Sequence, residues 1–144
     1  MRRLLIPLLT LSALSAPASA ASLWAGANAN TAGFGVHAGV SVLRVPFIGT
    51  LGVEGSAEKG WNTDVRRYAA GLTLRDVNLP LTQVDAFGTV GAELLSRPEQ
   101  ENLTAGYAEA GLRGPLLGPA GWRAFVRGNT TGQIGAGLGL ELRF

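Results

Sequence analysis

The sequence predicts an all-β chain, a closed antiparallel up-and-down barrel of about eight strands. Three observations carry that expectation. Apolar residues recur at every second position from about residue 34 to the end, the period of a strand with one apolar face. All 21 glycines lie after residue 25, at more than twice the ~7 % of an ordinary chain, and interior glycine costs a helix about 1 kcal/mol relative to alanine. The alternating segments are even in number and about ten residues long, the length of a tilted strand that crosses a membrane.

The chain begins with a segment read as a leader. Met1-Arg2-Arg3 is followed by the apolar run Leu4–Leu14 and by Ala18-Ser19-Ala20. A basic head, an apolar stretch and a small-x-small site make a secretory signal peptide. This divides the chain into residues 1–20, removed on export, and a barrel domain over 21–144. No Cys stands at the cut, so lipoprotein anchoring is excluded.

Eight segments follow. Ser22–Asn28 is the weakest, with the facing of Trp24 undecided. In 34–43, Phe34, Val36, Ala38 and Val40 oppose Gly35, His37, Gly39 and Ser41; in 47–56, Leu51 and Val53 oppose Gly52 and Glu54. In 66–75, Tyr68, Ala70, Leu72 and Leu74 oppose Arg67, Gly71, Thr73 and Arg75; in 83–95, Val84, Ala86, Val90, Ala92 and Leu94 oppose Asp85, Phe87, Thr89 and Glu93. In 104–113, Ala108, Ala110 and Leu112 oppose Tyr107, Glu109 and Arg113; in 122–128, Ala124 and Val126 oppose Arg123, Phe125 and Arg127. The last segment is the clearest: Ile134, Ala136, Leu138, Leu140, Leu142 and Phe144 fall on one face, with Gly135, Gly137, Gly139, Glu141 and Arg143 on the other. Short connections join these segments, among them Ala57–Thr63, Asp76–Leu81 and Gly114–Gly121.

The polar face decides which way the barrel turns. Glycine is a weak strand former on a solvated exterior, but Gly, Ala, Ser and Thr suit a narrow lumen, where they leave room for side chains from other strands. The apolar face carries almost no charge along the strand centres, as a surface facing lipid requires. The expected inward charges are Arg67, Arg75, Arg113, Arg123, Arg127 and Arg143 against Glu54, Asp85, Glu93, Glu109 and Glu141, close to the neutrality that a buried ionic network needs. Arg outnumbers Lys eleven to one, which suits planar bidentate pairing. Trp24, Trp61, Trp122, Phe47 and Phe144 lie near strand ends, where an aromatic belt would sit. Eight strands enclose an interior that side chains just fill, so conduction is not expected.

A signal peptide together with a last strand that alternates apolar residues and closes on Phe144 resembles the assembly signal of bacterial outer-membrane barrels. The whole mature chain looks like the small eight-stranded class, similar in plan to the OmpA transmembrane domain and to OmpX. That resemblance implies a bacterial outer-membrane location, both termini on the periplasmic side, outer-membrane lipid as surroundings, and recognition of Phe144 by the outer-membrane assembly machinery. The chain departs from the class in having shorter outward loops and no peptidoglycan-binding domain after the barrel. Glu58-Lys59-Gly60-Trp61 and Arg97-Pro98-Glu99-Gln100-Glu101 would be the outward contacts.

The chemistry-bearing residues point elsewhere than to catalysis. Once Arg2 and Arg3 are assigned to the leader, the twelve bases fall to ten, equal to the ten acids, so electrostatic attraction to nucleic acid loses its basis. With one His and no Cys there is no metal cluster, and no cofactor motif is present; the glycines of 135–139 keep strand period and no helix follows them. His37, with Ser41 four residues on and Glu54 on the next strand, supplies the residue types of a Ser-His-acid hydrolase, without any surrounding motif. The inward carboxylates could serve a glycosidase pair, but all sit among arginines. The expectation is therefore a non-enzymatic outer-membrane barrel with a side-chain-filled lumen and a structural or surface-interaction role. The alternatives are a soluble secreted or periplasmic barrel holding an apolar ligand, and a lipid-modifying enzyme centred on His37.

Overall fold

A computed structural model describes residues 22–144; the leader predicted over 1–20 lies outside the described residues. Eight strands follow one another: β1 (Leu23–Asn30), β2 (Gly33–Val45), β3 (Gly49–Gly60), β4 (Arg66–Asn78), β5 (Asp85–Ser96), β6 (Leu103–Leu117), β7 (Ala120–Asn129) and β8 (Ile134–Arg143). Each pairs antiparallel with its sequence neighbour, and β1 pairs with β8 to close the barrel. Closure leaves no strand edge unpaired. The two ends differ in their connections. One, the terminal end, carries both chain ends and the β2–β3, β4–β5 and β6–β7 turns. The other, the loop end, carries the remaining four connections.

Burial alternates along every strand and assigns the faces. Val36, Leu72, Val90, Val126, Leu138 and Leu140 are all more than half exposed, whereas His37, Thr73, Arg75, Thr89, Glu93, Arg123 and Glu141 are buried. In a closed barrel the buried set is the lumen set. The apolar residues point out, as the alternation predicted, and the residues normally found at a surface fill the inside.

The strands run further than alternation alone suggested. β3 continues through Gly60 and β6 through Leu117, so the connections expected at Ala57–Thr63 and Gly114–Gly121 are shorter. Three register shifts, between Ser41 and Leu43, Leu74 and Val77, and Pro115 and Leu117, place extra residues in one strand of a pair. Such bulges change the facing, which is why period two broke off early. Pro115 sits at one of them, where its missing N–H is tolerated. In the β2–β3 turn Phe47 adopts a φ of 66° and is fully exposed.

Candidate functional site: a closed ionic interior

The lumen is built from cross-strand aromatic–glycine pairs. Trp24 on β1 stands opposite Gly39, Phe87 opposite Gly111, and Phe125 opposite Gly137. A Cβ at Gly111 would lie 2.8 Å from the Phe87 ring, and one at Gly71 would lie 2.9 Å from the Tyr107 hydroxyl. The bare backbone is what lets these rings lie across the barrel wall, the arrangement by which aromatics cover strand glycines. Over each ring sits an arginine: Arg75 at 3.9 Å from the Trp24 centroid, Arg123 at 4.4 Å from Phe87, Arg127 at 5.0 Å from Phe125 and Arg67 at 4.8 Å from Tyr107. Away from water a cation over a ring face is worth about 2 kcal/mol.

The same arginines are joined by carboxylates into two tiers. Nearer the terminal end, Glu54 accepts from Arg75 at 3.2 Å, from Arg123 at 3.3 Å and from the Trp24 indole at 2.8 Å. Glu141 accepts from Arg75, and the Arg113 guanidinium lies 3.6 Å away. Nearer the loop end, Glu58 accepts from Arg127 at 2.9 Å and from Asn28 at 3.0 Å, while Glu109 accepts from Arg127 at 2.8 Å. Glu93 accepts from Arg67 and, at 2.6 Å, from Asn129. Arg123 also donates to Glu109 and so ties the tiers together. Between them Thr89 donates to Thr73 across the β4–β5 pair, both almost wholly buried.

Most of the expected inward charges are where the sequence placed them, with three corrections. Arg143 is half-exposed at the terminal mouth, where it faces Asp76 at 3.4 Å. Asp85 is half-buried at the same mouth, beside Asn78. Glu58, expected in an outward loop, is buried on β3 and paired with Arg127; Lys59 and Gly60 are likewise the last residues of that strand, not a loop. Its polar neighbours on both faces hid the alternation there. With Glu58 included, five arginines (67, 75, 113, 123 and 127) face five glutamates (54, 58, 93, 109 and 141) across the lumen. Such pairing is weak evidence of net stability, because desolvation opposes it; removing one partner is what costs heavily.

Trp24, grouped by sequence with the interfacial aromatics, is 4 % exposed in the lumen. Of the other four, Phe47 and Phe144 lie beyond strand termini and Trp61 in the β3–β4 loop, whereas Trp122 lies within β7 on the outer face, over Gly114 and beside Leu140. Phe34 and Trp61 pack together at 5.2 Å, adding a ring that sequence reasoning counted only as a face residue.

His37 is buried in the lumen with its two ring nitrogens 3.4 Å from Asn28 Oδ1 and from Glu141 Oε2. Ser41 is engaged elsewhere: its hydroxyl oxygen accepts from the Ser22 backbone at 2.7 Å. Glu54 is held by two arginines and Trp24. The three residue types of a hydrolase are present on neighbouring strands, but His37 pairs with Asn28 and Glu141, and its hydrogen bonds go to neither Ser41 nor Glu54.

No protein-family model and no curated protein matches the sequence. Solved structures do. The N-terminal β-barrel domain of Pseudomonas aeruginosa OprF superposes with a TM-score of 0.64 at 14 % identity, over 86 % of this chain and 96 % of that one. A de novo designed transmembrane β-barrel superposes at 0.60 with 12 % identity, over 86 % and 94 %. The solution structure of the designed barrel TMB2.3 gives 0.51 at 19 % identity, over 87 % and 94 %. The chain thus has the closed eight-stranded fold of small transmembrane β-barrels.

Proposed function

We propose that this chain is an integral outer-membrane barrel that is non-enzymatic, does not conduct, and serves a structural or surface-interaction role. The observation that supports it best is the distribution of polarity: large apolar side chains cover the outside while the ionic network occupies the interior. In water the exposed Val, Leu, Ile and Phe would form an apolar surface far larger than monomeric soluble proteins carry; in a bilayer the same surface is matched to its solvent. The likeness to transmembrane barrels supports the same reading. A soluble barrel holding an apolar ligand would need this distribution inverted. Phe144 remains the residue proposed to address the chain to the assembly machinery, and export by the leader is part of the proposal.

Partitioning tests it. The mature protein is expected to enter the detergent phase, and after refolding into phosphatidylcholine vesicles to run at a different gel mobility before and after boiling, because a closed barrel resists detergent until heated. A protein that stays aqueous and monomeric without detergent would overturn the proposal.

A further inference from the structure

Charge is almost absent from the outward positions of all eight strands. There are two exceptions, Lys59 near the end of β3 and Arg66 at the start of β4, and the register sets them directly opposite each other. Both share the face of the exposed Val53 and Tyr68. Opposed residues on one sheet face have Cβ atoms about 4.5–5.5 Å apart, where like charges repel. Among the described residues, the one carboxylate at ion-pair distance from either is Asp64, 4.0 Å from Lys59 and itself 82 % exposed. Both cations stand at the loop end; at the terminal end the outward rim carries Leu43, Leu51 and Leu74 instead. A lone interfacial lysine needs no explanation, but an adjacent, same-sign pair confined to one rim of an otherwise uncharged wall does.

We propose that Lys59 and Arg66 together hold the phosphate of an anionic lipid headgroup at the loop-end membrane interface. The proposal rests on the membrane reading above. Arginine offers a planar fork that matches phosphate oxygens, and lysine adds a point charge beside it. The surroundings suit a lipid rather than a dissolved anion. Both cations occupy outward positions of their strands, in line with the exposed Val53 and Tyr68 of the apolar band. Phe34 stands in register with Lys59 and packs on Trp61, whose indole N–H donates to the Asn30 carbonyl at 2.8 Å. Tyr68, 45 % exposed, follows Arg66 on the same face of β4. Aromatic rings at headgroup depth beside cations are how a membrane interface is gripped.

The test compares wild type with the double variant Lys59→Gln/Arg66→Gln, both refolded into phosphatidylcholine vesicles and checked for the heat-dependent mobility shift. Each is then taken into neutral micelles and titrated with phosphatidic acid or with phosphatidylcholine of the same chains, bound lipid being counted by native mass spectrometry. Wild type is expected to favour phosphatidic acid by about tenfold or more, in line with roughly 1 kcal/mol for each interfacial cation. The double variant should insert and shift normally yet lose that preference. Equal retention of phosphatidic acid by two inserted proteins would overturn the headgroup site and leave the membrane reading intact. Displacement of phosphatidic acid by equimolar inorganic phosphate would overturn the assignment to a lipid. Failure of wild type to insert would overturn the membrane reading, and this site with it.

Discussion

Glu141→Ala is expected to destabilise the barrel by about 3–5 kcal/mol, the cost of leaving buried charge unpaired, read from urea unfolding of the vesicle-inserted protein. Glu141 is 4 % exposed and is the convergence point of the terminal tier. Arg75 donates to it, Arg113 lies at 3.6 Å, Arg123 at 3.9 Å and His37 at 3.4 Å. Without it Arg75 keeps only Glu54, and Arg113 keeps only Asp76 at the mouth. Five arginines would then face four glutamates among buried side chains. Glu141→Gln should cost less, since the amide oxygen still accepts a hydrogen bond while the charge is lost. A change within about 0.5 kcal/mol, typical of an exposed site, would mean that Glu141 is solvated.

The next residue along the strand gives the second large effect by the opposite physics. Leu140→Arg is expected to cost about 2–4 kcal/mol, the penalty of an arginine near the bilayer midplane, in the same unfolding measurement. Leu140 is 62 % exposed and lies between Ala27 on β1 and Trp122 on β7. The penalty belongs to the lipid. It should shrink when the protein is held in a loose short-chain detergent, where water reaches the substituted side chain, whereas the cost of Glu141→Ala should persist there. Adjacent residues with distinct environment dependence are what the proposed membrane setting predicts for a wall one residue thick, apolar side chains outside and ions inside.

The facing of nearly every strand residue was legible because the barrel wall imposes a two-residue period and its two faces carry side chains of opposite polarity. Ile134–Arg143 shows this best: five apolar residues point out, glycine and glutamate point in, and Arg143 stands at the mouth. What could not be read has three physical origins. Bulges at Ser41/Leu43 and Leu74/Val77 interrupt the period, so strand ends were cut short. At the loop end of β3 polar residues occupy both faces, which concealed the burial of Glu58 and the outward position of Lys59. The partners of the lumen charges are set by distance across the barrel: Glu54 meets Arg123, Glu58 meets Arg127 and Arg75 meets Glu141, pairs 66 to 69 residues apart. Only adjacent-strand pairs such as Glu109 with Arg127 follow from hairpin register alone. Trp24 was ambiguous because a tryptophan near a strand end suits an interface equally well. The glycine opposite it at position 39 was the available clue, since a ring crossing the lumen needs such a gap.

The central claim is that the apolar side chains face hydrocarbon. Because the chain contains no cysteine, single cysteines can be placed at Leu72, Val90, Leu138 and Leu140 and labelled with a nitroxide in vesicle-inserted protein. The labels are predicted to relax readily with dissolved oxygen and to be shielded from a water-soluble nickel chelate, the pattern of a lipid-facing site. Labels shielded from both reagents, as in a packed core, or open to the nickel chelate, as at an aqueous surface, would contradict the account.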